Sequence, residues 1–152
     1  MPENDTNFTR KDLRIPIDFS LFFGAGLYQM GPVRPDREYT GNPDRPGPQR
    51  RDEVTGLPQW KISVMDPGES NARRTGYEVV LLSDKEPVPT TGEIGPNLRP
   101  IELTGLTIQP RVAGQGEYKY QSYMVRATGY ASAPSAGGRS SSSGAGKSAS
   151  ES

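Results

Sequence analysis

Cysteine and histidine are both absent from the 152 residues. The first absence excludes disulfides and thiolate nucleophiles; the two together exclude zinc sites built on Cys or His ligands. Without an imidazole there is no general base of the commonest kind and no Ser-His-Asp triad. Apolar residues are also scarce, at 32%, well below a typical globular share. No apolar run approaches the roughly 20 residues that span a bilayer. Net charge is missing too: 18 Lys and Arg balance 18 Asp and Glu, so no global field draws the chain to nucleic acid or to an anionic membrane. Any such contact has to come from a local patch. No glycine-rich phosphate loop, nucleophile elbow or dense carboxylate cluster is present. The chain is therefore read as non-enzymatic, with no cofactor, no metal and no membrane partner. Its polar N-terminus is unlike a secretory signal, which makes a cytoplasmic location the expectation.

Glycine (18) and proline (15) are plentiful instead, and they divide the chain into short segments. Residues 1–13 are polar and read as a disordered lead. A single β domain is expected over 14–131. Ile15, Ile17, Phe19, Leu21 and Phe23 alternate with polar or small residues, the period of a half-buried strand. Gly24 to Gly26 turn the chain into a second short strand, Leu27 to Val33. Residues 34–56 are rich in proline, glycine and mutually cancelling charges, and read as a long loop. Trp60, Ile62 and Val64 then fall on one face of the clearest strand and are assigned to the core. Asp66-Pro67-Gly68 ends it, with Asp66 in a turn-capping role.

Tyr77 to Leu82 reads as a buried strand. A broken strand follows over Ile101–Leu103 and Leu106–Val112, interrupted at Gly105. Leu106, Ile108 and Val112 share a face, with Arg111 opposite. Gly114 to Gly116 resembles a hairpin turn. The last strand, Tyr118 to Tyr130, has an alternation that slips near Ser122-Tyr123, where a β-bulge restores register. From Ser132 to Ser152 the composition is almost entirely Ser, Gly and Ala, which cannot bury a core and reads as a disordered tail. The pattern is all-β: a small five- to six-stranded barrel or sandwich, the oligonucleotide-binding barrel among the options, with long Pro/Gly loops.

Aromatic and basic residues interleave in two places. Tyr118, Lys119, Tyr120, Tyr123 and Arg126 do so on the last strand, and Trp60 and Lys61 on the central one. Rings that stack bases beside cations that meet phosphates are what single-stranded nucleic acid requires. With Arg73, Arg74 and Arg111 these form the candidate interface: Lys61, Arg73, Arg74, Arg111, Tyr118, Lys119, Tyr120 and Arg126. The plainer alternative is that the tyrosines are cross-strand packing partners and the cations a solvated face. Arg50-Arg51 and Arg73-Arg74 have carboxylates close by in sequence and fit solubilising charge. The tail lacks the acidic, hydrophobic tip typical of bacterial single-strand-binding proteins. No helix-turn-helix pattern is visible, which speaks against major-groove reading.

The run DEVTGLPQWKISVMD from Asp52 to Asp66 resembles a signature of actinobacterial plasmid replication, integration and excision activators. LRPIELTGLTIQP from Leu98 to Pro110 and MVRATG from Met124 to Gly129 are similar to later segments of that family. So are IPIDF from Ile15 to Phe19 and GPVRP from Gly31 to Pro35. The resemblance runs in order through residues 15–130 and implies an accessory protein of an integrative, conjugative mobile element. Its partners would be single-stranded or plasmid DNA, or replication and transcription proteins of the element. It brings no catalytic residues. The readings that remain open are such an activator, a single-strand-binding module, and an interaction protein that contacts no nucleic acid.

Overall fold

The computed structural model describes residues 13–132; the expected disordered ends, 1–13 and 132–152, lie outside them apart from Leu13 and Ser132. The elements are β1 (Ile15–Pro16), α1 (Phe19–Phe22), β2 (Leu27–Pro35), β3 (Gln59–Met65), a 3-10 turn (Ala72–Arg74), β4 (Gly76–Leu82), β5 (Leu98–Ile101), β6 (Leu103–Thr104), β7 (Thr107–Ala113), β8 (Tyr120–Ala127) and β9 (Gly129–Tyr130). The fold is all-β. Seven strands form one mixed sheet in the order β1-β7-β8-β4-β3-β2-β5, and β6 pairs with β9. Every pairing is antiparallel except β4 with β8.

Period-two alternation builds the centre. Trp60, Ile62 and Val64 on β3 lie opposite Leu81, Val79 and Tyr77 on β4. Ile62, Val64, Val79 and Leu81 are fully buried, and the core is completed by Phe23, Leu27, Ile101, Leu103, Leu106, Ile108, Val125 and Ala127. Each such aliphatic side chain contributes roughly 1.5–3 kcal/mol by leaving water. Trp60 packs against this cluster but is only half-buried; its indole N–H donates to the Ser83 carbonyl at 2.9 Å.

Strands β5, β6 and β7 belong to one run of chain, 98–113. Its beginning pairs with β2, and the remainder pairs with β9 and β8. One edge of the sheet and a strand near the other edge are thus covalently continuous, so the sheet has to coil around its core. The ladder itself does not close into a barrel; two curved faces enclose the apolar cluster as in a sandwich. Grouped by chain run, the order is first (β2), second (β3), third (β4), fifth (β8–β9), fourth (β5–β7), and back to the first. Across the core from the first run, the Tyr130 hydroxyl of the fifth donates to Gln29 Oε1 at 2.5 Å. Gln29 is buried, and its Nε2 donates to the Gly31 carbonyl at 2.9 Å. Both ends of this buried amide are satisfied.

Several sequence expectations are corrected. Ile15 to Phe23 is not a strand: after two strand residues the chain forms the turn of α1, and Phe19, Phe22 and Phe23 reach the core at helical spacing while Leu21 is 74% exposed. The alternation counted Leu21 as inward, but an i, i+3, i+4 reading fits the three phenylalanines better. No bulge occurs at Ser122-Tyr123; β7 and β8 hold one register from Ala113↔Tyr120 to Thr107↔Arg126. The irregularities lie elsewhere, in β2 between Met30 and Arg34 and at the Gly105–Thr128 break between the β7–β8 and β6–β9 ladders. Val112 is 71% exposed, because the β7–β8 hairpin extends past the edge of the core. The loop after β2 starts at Asp36 and is not a plain solvated excursion. Bridges Arg37↔Gln49 and Arg51↔Pro58 fold it back on itself, and two of its carboxylates, Asp36 and Asp52, are buried.

Candidate nucleic-acid interface

Residues that alternate with the core form the outer face of the sheet. In β3 these are Gln59, Lys61 and Ser63; in β8 they are Tyr120, Ser122, Met124 and Arg126. The register sets Arg34 opposite Lys61, Lys61 opposite Val80, and Val80 opposite Arg126. One line across four strands therefore carries three cations around a single aliphatic side chain. A cleft of about 1230 Å³ lies over this face. Loop 36–58 borders it with Tyr39 and Arg50, loop 66–75 with Arg73 and Arg74, and the β7–β8 hairpin with Arg111 and Tyr120.

The expected residues divide into three groups. Lys61, Arg73, Arg74, Arg111, Tyr120 and Arg126 are brought together at this cleft. Tyr118 and Lys119 sit at the hairpin tip outside it, where Tyr118 is 81% exposed. Trp60 points to the core with Ile62 and Val64. Tyr123 lies on the core side of β8, where its ring meets Phe22 edge-on at 5.5 Å. It braces α1 while staying 38% exposed at the edge of the cleft.

The chemistry at the cleft is graded. The Arg74 guanidinium lies over the Tyr120 ring, 3.3 Å from its centroid. A 3-10 turn sets Arg74 in place: the Asn71 side chain caps it by accepting from the Arg73 amide at 2.9 Å. Arg126 is half-buried and donates to Gln109 Oε1 at 2.8 Å. Burial, and then the nearby Arg14, pull its affinity for the proton below the ordinary value, with Asp52 and Glu53 opposing. An arginine keeps its charge under such a load, so an incoming anion would be welcomed there.

Carboxylates hold the other cations. Glu78 accepts from Arg34 at 2.7 Å and lies 3.4 Å from Lys61 Nζ. Asp36 lies 3.4 Å from Lys61 Nζ and 3.5 Å from Arg50 Nε, and accepts from Gln59 Nε2 at 2.9 Å. Arg73 and Arg111 are exposed, and neither takes part in the ion pairs found among the described residues.

Loop 36–58 is pinned to the lead-in before β1. Arg14 contacts both oxygens of Asp52, each at 2.7 Å. Asp52 also accepts from the Thr55 amide and hydroxyl. Burial alone would raise the Asp52 pKa, but Arg14 and Thr55 prevail and hold it at about 2.

Sequence reasoning assigned Arg50 to solubilising charge and missed Tyr39. Tyr39 is 86% exposed, and its only sequence signal is a lone ring in a Pro/Gly loop. Among the described residues no group of Asp and Glu is placed to hold a metal ion, and no helix is long and apolar enough to cross a membrane. No protein-family model, curated protein or solved structure matches the chain.

Proposed function

We propose that this chain is a non-enzymatic module that binds single-stranded nucleic acid across the outer face of β3, β4 and β8, as an accessory activator of an integrative, conjugative mobile element. The observation that carries the binding reading is the Arg74–Tyr120 stack, set on a row of cations between two loops that each expose a tyrosine. Rings beside cations over a curved sheet form a stacking platform with phosphate contacts. The run order also supports it. The first run pairs with both the second and the fourth, and the third lies parallel to the fifth. That is the connectivity of the partly open oligonucleotide-binding barrel, whose second and third strands and flanking loops hold the ligand.

The mobile-element role rests on the resemblance of the five segments between residues 15 and 130. In the structure those segments are mainly β1, the end of β2, β3, β5–β7 and the end of β8, the strands that enclose the core. A second reading, an adaptor docking a replication or transcription protein of the element, is favoured by Val88 and Ile94, both exposed on the loop between β4 and β5.

The test is fluorescence anisotropy with labelled single-stranded and duplex oligonucleotides at two salt concentrations. Salt-sensitive binding to single strands, weakened by Tyr120→Leu and Arg74→Ala, is the expected result. Absence of binding to single strands at low salt would leave the adaptor.

A further inference from the structure

We propose that Arg50, Gln59 and Lys61 form a phosphodiester subsite that the chain's own Asp36 carboxylate fills in the free protein. The inference rests on reading this face as a nucleic-acid site and adds a self-competing occupant to it. Three donors from loop 36–58 and β3 converge on one carboxylate: Arg50 Nε at 3.5 Å, Lys61 Nζ at 3.4 Å and Gln59 Nε2 at 2.9 Å. The Asp36 side chain is only 9% exposed, while those of Arg50 and Lys61 are 48% and 33% exposed. The anion is therefore the inner partner, and the cations reach over it from the solvent side. A guanidinium, an ammonium and an amide N–H around one oxyanion are the donor set a phosphate takes equally well.

The geometry also makes the carboxylate replaceable. Both ionic contacts are longer than the roughly 2.7–2.9 Å of a strong charge-assisted hydrogen bond. The Arg14–Asp52 and Arg34–Glu78 pairs, by contrast, close to 2.7 Å. The main chain at Asp36 is fixed independently: its amide donates to the Gln59 carbonyl at 3.0 Å, and its own carbonyl accepts from the Arg50 amide at 2.7 Å. Vacating the subsite then needs only rotation of one short side chain, with loop and strand left in place. With Asp36 present Lys61 faces two carboxylates; with Asp36 withdrawn it faces Glu78 alone, which Arg34 shares. The loop thus screens the cations at the centre of the face until a polyanion displaces its carboxylate.

Asp36→Asn removes the charge and keeps the shape. It is compared with the wild type and with Glu38→Gln, an equal charge change at an exposed position of the same loop. A deoxythymidine 12-mer is titrated at two salt concentrations, and a thermal melt checks each protein. Asp36→Asn is expected to bind several-fold tighter, with a salt slope steeper by about 0.7, the contribution of one phosphate on a single strand. Glu38→Gln should change affinity less than twofold. Lys61→Ala should weaken binding in the wild type and should abolish the gain in the Asp36→Asn background.

If Asp36→Asn and Glu38→Gln tighten binding equally, or if folded Asp36→Asn binds no better, the subsite is overturned. Wild-type binding that still depends on Arg74 and Tyr120 would then leave the face itself intact. If no protein binds the 12-mer at low salt, both the face and its subsite fall.

Discussion

Arg74 lies over the ring of Tyr120, the guanidinium carbon 3.3 Å from the ring centroid, and so joins loop 66–75 to β8 across 46 positions of sequence. A cation on an aromatic face at a half-exposed site is worth about 0.5–1 kcal/mol. A double-mutant cycle of Arg74→Ala and Tyr120→Leu, followed by urea unfolding, should give a coupling energy of that size. The variant Arg74→Lys should recover only part of it, since the planar guanidinium is what stacks.

The Arg14–Asp52 pair predicts acid sensitivity. Asp52 stands at about 2 in the folded protein against an ordinary 3.8, so its folded pKa is depressed. The stability it adds is present above about pH 4 and is lost as pH falls through about 2. That shift corresponds to roughly 2 kcal/mol. Asp52→Asn should therefore cost at least this much at pH 7 and flatten the acid limb of a stability–pH curve measured by denaturant unfolding. Equal acid sensitivity in Asp52→Asn and the wild type would contradict the assignment.

At the alkaline end the sign reverses. Burial first, against a smaller opposing pull from Arg99, raises the Tyr130 pKa to about 12. Tyr77 is raised as well, by burial and then by its hydrogen bond to the Asp66 carboxylate. A raised folded value means stability fully present below about pH 10 and lost as pH climbs through about 12. Tyr130→Phe removes one titrating group, so its stability should fall less steeply between those limits. At pH 7 the same change leaves Gln29 Oε1 buried without its donor, at a cost of about 1–3 kcal/mol. Chemical unfolding at pH 7 and pH 11 reads both effects.

Gly105 and Gly116 share a left-handed backbone, φ +61° and +60°, but not their surroundings. A Cβ at Gly105 would meet Thr128 Oγ1 at 2.4 Å, whereas nothing lies within 4 Å at Gly116. Gly116→Ala should cost about 1 kcal/mol from backbone strain alone. Gly105→Ala should cost about 1–3 kcal/mol more through the clash, and Thr128→Gly in the same chain should return part of it. Denaturation midpoints of the three variants decide this.

Local pattern made the centre of the fold legible. Trp60, Ile62 and Val64, the strand of Tyr77 to Leu82, the break at Gly105 and the turn at Gly114 to Gly116 all depend on neighbours in sequence. Arg74 and Tyr120 could each be picked out, but their contact could not, because it joins distant loops. Asp36 and Asp52 passed for solubilising charge for the same reason: the partners that bury them, Lys61 and Arg14, stand 25 and 38 positions away. The turn of α1 was hidden because four residues of helix and a short strand both fit five alternating apolar positions. Val112 shows that a correct facing does not imply burial when a hairpin outruns the core.

The parallel seam between β4 and β8 has a kinetic consequence. It joins only at Val80↔Arg126 and Leu81↔Ala127, yet it links two pieces that can each form locally: the meander β2–β3–β4 and the hairpin β7–β8. Docking them closes a loop of about 45 residues before any apolar contact rewards it, the kind of non-local step that slows folding. During synthesis the meander emerges first and holds Val79 and Leu81 bare until Val125 and Ala127 have left the ribosome. That interval is when the nascent chain is most exposed to self-association.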